Sequence, residues 1–341
     1  MNRNLFFLAL AAALAGGCAR KSDEARPVTL TYANFPPPAT FPCVQMERWA
    51  DEVESRSSGR IAVQTFPSGT LLAAKNIFDG VADGTADIGC FAMSYQPGRF
   101  PVSEAIDLPH FFPSSKVATR VLLDTIAHFA PAEFSRVKIL ALFTCPPAVV
   151  MSSKPVETLE DLAGMSLRSS GTAAEAVRRL GGIPVAMPQS EAPDALQKGV
   201  VNGNVSSGEV LMDMNYAAYC PFVYPADLPV VSFAVVMNAA KYQALPADVR
   251  AILDGLMEEH SLWTAAYVDD HVDKSIAWAR ENRGLKVAAV AEADRARMRT
   301  TLGPLLEDYA ARVEKAGLPG TELLRFVGER RDAATAGEPR P

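Results

Sequence analysis

The sequence predicts an α/β fold in which parallel strands are covered by helices. Three observations lead there. Segments of strand and helix character alternate as β-α-β-α-β between Val28 and Phe91, the order that builds a parallel sheet with crossover helices. A second alternating block runs from Thr158 to Met237. A helical pattern from Pro246 to about Arg280 exceeds an ordinary globular helix in length, and it sustains no heptad that would make it a coiled coil.

The N-terminus reads as a targeting segment. Arg3 supplies a positive charge, and Leu5 to Ala15 is an unbroken apolar run, too short to span a bilayer as a helix. Gly16-Gly17-Cys18 follows. A basic start, a short apolar stretch and small residues make a secretory signal. The cysteine directly after them resembles the bacterial lipobox, with Leu14 one place further from Cys18 than in the commonest form. That resemblance implies a lipoprotein signal peptide over 1–17 and lipid on Cys18. An ordinary signal with an incidental cysteine is the alternative. Residues 18–27 are a polar tether.

Within the folded part, Val28 to Tyr32 is rich in β-forming residues and leads through Asn34 into a proline-rich turn. Met46, Trp49, Ala50 and Val53 stand at i, i+3, i+4, i+7, one face of a helix that Gly59 ends. Ile61, Val63 and Thr65 alternate before Pro67-Ser68-Gly69, a strand running into a turn. Ala74, Ile77, Phe78 and Val81 again have helical spacing, and Asp87 to Phe91 is a short strand. Val137–Phe143 and Val149–Ser152 are two further strands. In the second block, Thr158-Leu159-Glu160-Asp161 and Thr172-Ala173-Ala174-Glu175 have the form of capping boxes. Strand character falls at Ser166–Arg168, Pro184–Met187, Val200–Val201 and Val230–Met237, and helical character at Ala192–Lys198. On the long helix, Val249, Ile252, Leu253, Leu256 and Met257 share a face.

Composition narrows the function. The chain has 341 residues, 49% hydrophobic and 21% charged, with a net charge of −6, ordinary values for a globular protein of two domains or one large one. No basic cluster is present, so nucleic acid is excluded as a partner. An acidic chain does not draw anions by long-range steering, so any anion site must be local. Beyond Cys18, four cysteines (Cys43, Cys90, Cys145 and Cys220) are widely spaced, with no metal-type spacing. Buried thiols and one or two disulfides both fit them in an oxidising compartment.

Catalytic signatures are missing. The sequence holds no HExxH, GxSxG, Walker loop or GxGxxG. His110, His128, His260 and His271 lie in unrelated contexts. The last two are about three helical turns apart, too far to share a metal. No carboxylate pair is singled out by spacing. The expectation is a non-enzymatic protein without metal or cofactor.

Three linked segments carry a family resemblance: Met165-Ser166-Leu167-Arg168-Ser169-Ser170-Gly171, Leu180-Gly181-Gly182-Ile183-Pro184-Val185-Ala186-Met187-Pro188, and Ala195-Leu196-Gln197-Lys198-Gly199-Val200-Val201-Asn202-Gly203. Together they resemble the core of the TRAP-transporter solute-binding proteins, the DctP family. Phe66-Pro67-Ser68-Gly69-Thr70-Leu71, Asp107-Leu108-Pro109-His110-Phe111-Phe112 and Met237-Asn238 through Leu245-Pro246 match flanking family patterns. The resemblance runs from about Val28 to about Leu324, and the order and spacing of the motifs make it specific.

The resemblance implies a two-lobed, periplasmic-binding-protein-like fold with a central sheet in each lobe, crossing strands and one long helix spanning both. Lobe 1 would hold 28–150 plus about 235–270, and lobe 2 would hold 151–234 plus about 271–330. It implies a receptor in the periplasm, lipid-anchored to a bacterial membrane, that closes on a small organic acid and hands it to TRAP membrane subunits. A ligand sensor feeding a membrane signalling protein is the rival use of the same fold. It also implies that Arg168 grips the ligand carboxylate, a role for which a planar guanidinium is suited and an ammonium is not.

Other positions carry over on the same basis. Asn34 stands where family members place a polar ligand contact, and Gln189 where an aromatic often lines the cleft. Asn238 matches a family Asn and is also placed to cap a helix. The family's Glu and Asn after the Asn202-Gly203 pair are here Val205 and Ser206. Sugar-acid-binding members carry a Glu where Met93 stands and a second Arg where Ala148 stands. Those losses point to a monocarboxylate with an apolar or aromatic body, because a polyhydroxylated ligand would leave polar groups unpaired. Phe91, Met93, Tyr95 and Tyr216 are candidates for the apolar wall.

Overall fold

The alternating segments become two separate sheets. The structure, a computed structural model, describes residues 27–337; the signal segment, Cys18 and the tether up to residue 26 lie outside the described residues. Its strands are β1 (Val28–Ala33), β2 (Ile61–Phe66), β3 (Ile88–Ala92), β4 (Val137–Thr144), β5 (Ala148–Ser152), β6 (Ser166–Ser169), β7 (Ile183–Ala186), β8 (Gly203–Ser206), β9 (Phe222–Leu228), β10 (Ser232–Asn238) and β11 (Lys286–Val287). The first sheet has the order β2-β1-β3-β10-β4 and the second β11-β9-β5-β8-β6-β7.

The strand order shows where the chain changes lobes. β4 and β5 are separated by only 145–147, yet they lie in different sheets, and so do β9 and β10 across 229–231. The two crossings run side by side: Cys145 N–H donates to the Val231 carbonyl (3.0 Å), and Val231 N–H donates to Cys145 Sγ (3.3 Å). Cys145 is therefore a sulfur acceptor in a crossing. Cys43, Cys90 and Cys220 are also free and buried, which decides the thiol question left open by their spacing.

The long helix spans Ala247–Arg283, with Pro246 at its N-cap and Gly284 in the left-handed region after it. Its first half belongs to lobe 1: Ser261 Oγ donates to the Met257 carbonyl of its own helix (2.6 Å) and accepts from Leu142 N–H of β4 (2.9 Å). Asp269, further along, accepts from Ser115 and Lys116 N–H at the start of the Ser115–Phe129 helix (2.8 and 3.0 Å), where a carboxylate opposes the helix dipole. Its second half belongs to lobe 2: His271 meets Asp213 (2.8 Å), and Ser275 Oγ donates to the Gly208 carbonyl (2.9 Å). One element thus fastens both lobes.

Three expectations change. The helices Pro304–Lys315 and Gly320–Ala336 were placed with lobe 2, but Tyr309, Val313, Leu323 and Val327 are buried in the core of the first sheet. The described residues therefore finish on lobe 1, and the second-lobe share after 271 closes near Leu302, whose side chain is in the β5–β6 core. The strand expected at Val200–Val201 instead starts at Gly203, and Val200 is exposed. The second capping box does not form: the helix begins at Gly171, Thr172 donates its hydroxyl across to the Asp107 carbonyl, and Glu175 pairs with Arg178 and Arg179. Thr158 and Asp161 do pair, with Thr158 N–H donating to the Asp161 carboxylate (2.9 Å), around a single short turn.

Candidate functional site

β6 delivers Arg168 into the space between the lobes. Its neighbours on either side, β7 and β8, pair with it in parallel, with Arg168 opposite Val185 and Asn204. Arg168 is 2% exposed. Nε and Nη2 both donate to the Met187 carbonyl (2.9 and 2.7 Å), which fixes the plane of the guanidinium. Among the described residues Nη1 has no partner and no carboxylate lies within ion-pair distance. A buried, oriented and unpaired cation of this kind is costly unless an anion meets it.

A cavity of about 50 Å³ lies against it. Lobe 1 contributes Phe35, Phe41, Tyr95 and Phe233, and lobe 2 contributes Arg168, Gln189, Val205, Ser206 and Glu209. The aromatic wall is one packed cluster: Phe35 stacks on Phe233 (6.4 Å between centroids), and Phe41 and Tyr95 meet it edge-on. Polar groups face the cavity as well. Gln189 Nε2, Ser207 Oγ and Glu209 Oε2 are buried and without hydrogen-bond partners.

The lobes touch around this cavity. Gln189 N–H of lobe 2 donates to the Tyr95 hydroxyl of lobe 1 (3.0 Å), and Tyr216 Oη donates to the Gln189 carbonyl from behind (2.9 Å). Ser94 and Ser170 hydroxyls are 3.4 Å apart. Thr172 reaches the Asp107 carbonyl. At Gly171 a Cβ would stand 2.7 Å from Ser94 Cβ, and φ is +55°, so both the backbone and the contact ask for glycine. This is a closed arrangement of the two lobes.

The sequence-derived site residues separate into three groups. Arg168, Tyr95, Gln189 and Ser206 come together on the cavity, and Tyr216 supports the turn carrying Gln189. Met93 lines a neighbouring groove between the lobes rather than this cavity. Asn34, Phe91 and Asn238 are corrected. Asn34 Nδ2 donates to the Pro42 carbonyl (2.6 Å) and Oδ1 accepts from Phe35 N–H (2.9 Å), so both ends of its amide serve the turn after β1. Phe91 packs between Phe78 and Phe100 in the core of lobe 1. Asn238 Oδ1 accepts from Lys241 N–H (3.0 Å), which caps the Ala239–Ala244 helix at the far end of β10. Phe35, Phe41, Phe233, Ser207 and Glu209 were not singled out by the sequence. Val205 and Ala148, read as lost polar contacts, do line the cavity.

Buried ionisable groups near the cleft follow their surroundings. Burial pushes the Asp107 carboxyl up to about 8, against the pull of the Ser232 hydroxyl and N–H that it accepts from. His110 is pushed down to about 4 by burial and its Nε2 lies 2.8 Å from the Ala105 carbonyl; it is a neutral core histidine. Because the folded Asp107 holds its proton above the unfolded value near 3.9, its contribution to stability is full below about pH 4 and is lost as pH rises towards 8. Asp107→Asn is expected to flatten the fall in melting temperature between pH 5 and 8. Equal slopes for the two proteins would assign that fall to other groups.

Comparison with known proteins identifies the family and the fold. The family model for bacterial extracellular solute-binding protein, family 7 (DctP) matches residues 33–312. A TRAP periplasmic solute binding protein from Desulfovibrio salexigens is 42% identical, with a TM-score of 0.82 over 92% of this chain and 98% of that one. A TRAP solute binding protein from Rhodoferax ferrireducens, in complex with copurified benzoate, is 26% identical, with a TM-score of 0.86 over 91% and 99%. The C4-dicarboxylate-binding periplasmic protein DctP of Rhodobacter capsulatus is 22% identical over 92% of each chain. The match covers both lobes and the long helix that joins them, and the chain belongs to the DctP family of extracellular solute-binding proteins.

Proposed function

We propose that this protein is an extracytoplasmic receptor for a small monocarboxylate with an apolar or aromatic body, which it delivers to a TRAP-type membrane transporter. One observation carries the reading: Arg168 is buried, held in plane by the Met187 carbonyl, and without an anionic partner among the described residues, beside a cavity walled by Phe35, Phe41 and Phe233. A carboxylate supplies the missing charge and matches the guanidinium with two hydrogen bonds. The rings take up an apolar body. A sugar acid would need polar partners all round its body; Ala148, Val205 and the three phenylalanines provide none, and the unpartnered polar groups are confined to Gln189, Ser207 and Glu209. The benzoate complex of the Rhodoferax relative, and a Bordetella bronchiseptica relative with bound mandelate that is 21% identical, are consistent with this ligand class.

Ligand contacts from both lobes favour the closed arrangement, because a ligand shifts a conformational equilibrium only by its differential affinity. Capture therefore needs no cofactor. Lipid on Cys18 would hold the receptor at the membrane, a role that rests on the sequence pattern at 14–18. A thermal-shift screen against a panel of organic acids tests the assignment. A ligand at about 100 times its dissociation constant adds about 2.7 kcal/mol of stability, a shift of several degrees. Aromatic and other apolar monocarboxylates are expected to raise the melting temperature and sugar acids to leave it unchanged. The reverse order would overturn the ligand class.

A further inference from the structure

The cavity holds a second charged side chain that carboxylate recognition leaves unused. Glu209 is 3% exposed and lines the same space as Arg168. Its position is built. Ser275 Oγ of the long helix donates to the carbonyls of Gly208 and Glu209 (2.9 and 3.0 Å). Gly208 lets this segment lie close to the helix, since a Cβ there would stand 3.1 Å from Val272 Cγ1. The side chain beyond that fixed backbone is only weakly met: the Ser207 hydroxyl lies near enough to pull on the Glu209 carboxyl, yet neither Glu209 Oε2 nor the fully buried Ser207 Oγ has a hydrogen bond of ordinary length among the described residues.

We propose that Glu209 and Ser207 form a second polar subsite that takes one hydrogen-bond donor, a hydroxyl or an N–H, carried by an otherwise apolar monocarboxylate. The inference rests on the reading of Arg168 as the carboxylate site and narrows its ligand class. An ionised carboxylate only accepts, so it selects for a donor, and the resulting bond is charge-assisted. Burial pushes the Glu209 carboxyl up to about 7 against the pull of the Ser207 hydroxyl, and a ligand donor at the same carboxyl would favour its ionised form. Phe35, Phe41, Val205, Val210, Met214 and Phe233 make the apolar part of the wall, and Gln189 and Ser206 add polar groups on the Arg168 side, so the ligand carries an apolar body with polar groups confined to that side. A hydroxy acid and an amino acid share this donor chemistry, and the charge of the donor separates them.

Two matched sets of acids test the subsite by titration calorimetry on the purified protein: phenylacetate, mandelate and phenylglycine, and cyclopentanecarboxylate, pyroglutamate and proline. Within each set the carboxylate and frame are kept, while the donor is absent, neutral or cationic. In at least one set the donor-bearing acid is expected to bind about tenfold or more tightly than its donorless partner. Glu209→Leu is expected to erase that ratio while the donorless acid still binds, which also shows that the variant folds. Preference for the neutral donor would identify a hydroxy or amide acid, and preference for the ammonium a zwitterion. An unchanged ratio in Glu209→Leu, or equal affinities in the native protein, would overturn the subsite while leaving the Arg168 reading in place. Failure of every acid to bind the native protein would overturn both.

Discussion

Arg168→Ala is expected to lower affinity for every carboxylate ligand by about 2–5 kcal/mol, roughly thirtyfold to several thousandfold. The loss is large because the ligand charge would remain buried without its partner, rather than because one contact disappears. The fold should survive. The guanidinium donates only to the Met187 carbonyl among the described residues, and removing a buried cation also removes a desolvation cost. Unliganded Arg168→Ala should therefore melt near the native temperature and lose only the ligand-induced shift. Arg168→Lys is a sharper version. It keeps the charge but not the planar pair of donors, so it should recover only part of the affinity. Native affinity in Arg168→Ala would remove the arginine from the site.

Gly171→Ala is expected to impair closure, and its effect reaches the ligand only through the lobes. The added Cβ would stand 2.7 Å from Ser94 Cβ on the opposite lobe, closer than carbon atoms pack, so the two lobes must separate or shift. The positive φ of +55° at this position adds strain of about 1 kcal/mol for any residue but glycine. That strain is present open or closed, whereas the Ser94 contact exists only in the closed form. Affinity should fall about tenfold or more, and small-angle scattering at saturating ligand should show a larger radius of gyration than the native complex. Ser94→Gly in the same chain should restore part of both. A Gly171→Ala protein that closes fully and binds normally would mean that the contact is not part of closure.

The legible parts of the fold are those set by local periodicity. Met46, Trp49, Ala50 and Val53 mark the buried face of the Phe41–Arg56 helix, and the alternation at Ile61, Val63 and Thr65 marks β2. β9 was missed because Pro225 and Asp227 stand inside it and argue against a strand. The structure tolerates them where the pairing of β5 with β9 shifts register, and Asp227 takes a positive φ of 45°. The two Thr-x-x-acid patterns look alike in sequence, yet only Thr158 finds its local partner. Thr172 lies at the lobe interface, where a carbonyl of the other lobe competes for its hydroxyl, and no local pattern reveals that.

The site divides in the same way. Arg168 was legible because a motif surrounds it, Gln189 and Ser206 because family positions pointed to them, and Tyr95 as a candidate for the apolar wall. Phe35, Phe41 and Phe233 come from three separate segments that converge only in the folded chain. The positions of Asn34 and Asn238 were readable, but the destination of their amides was not. Each asparagine stands at the end of a strand, where a side-chain amide serves backbone turns and helix ends as readily as a ligand. Glu209 did leave a signal, an acidic residue between Gly208 and the apolar pair Val210-Leu211, and only burial shows its weight.

The most direct test is a crystal structure of the protein with the tightest-binding acid from the screen. The account predicts one ligand in the cavity between the lobes, with its carboxylate paired to the Arg168 guanidinium and its body against Phe35, Phe41 and Phe233. A ligand bound in the neighbouring groove beside Met93, or one whose carboxylate turns away from Arg168, would contradict it.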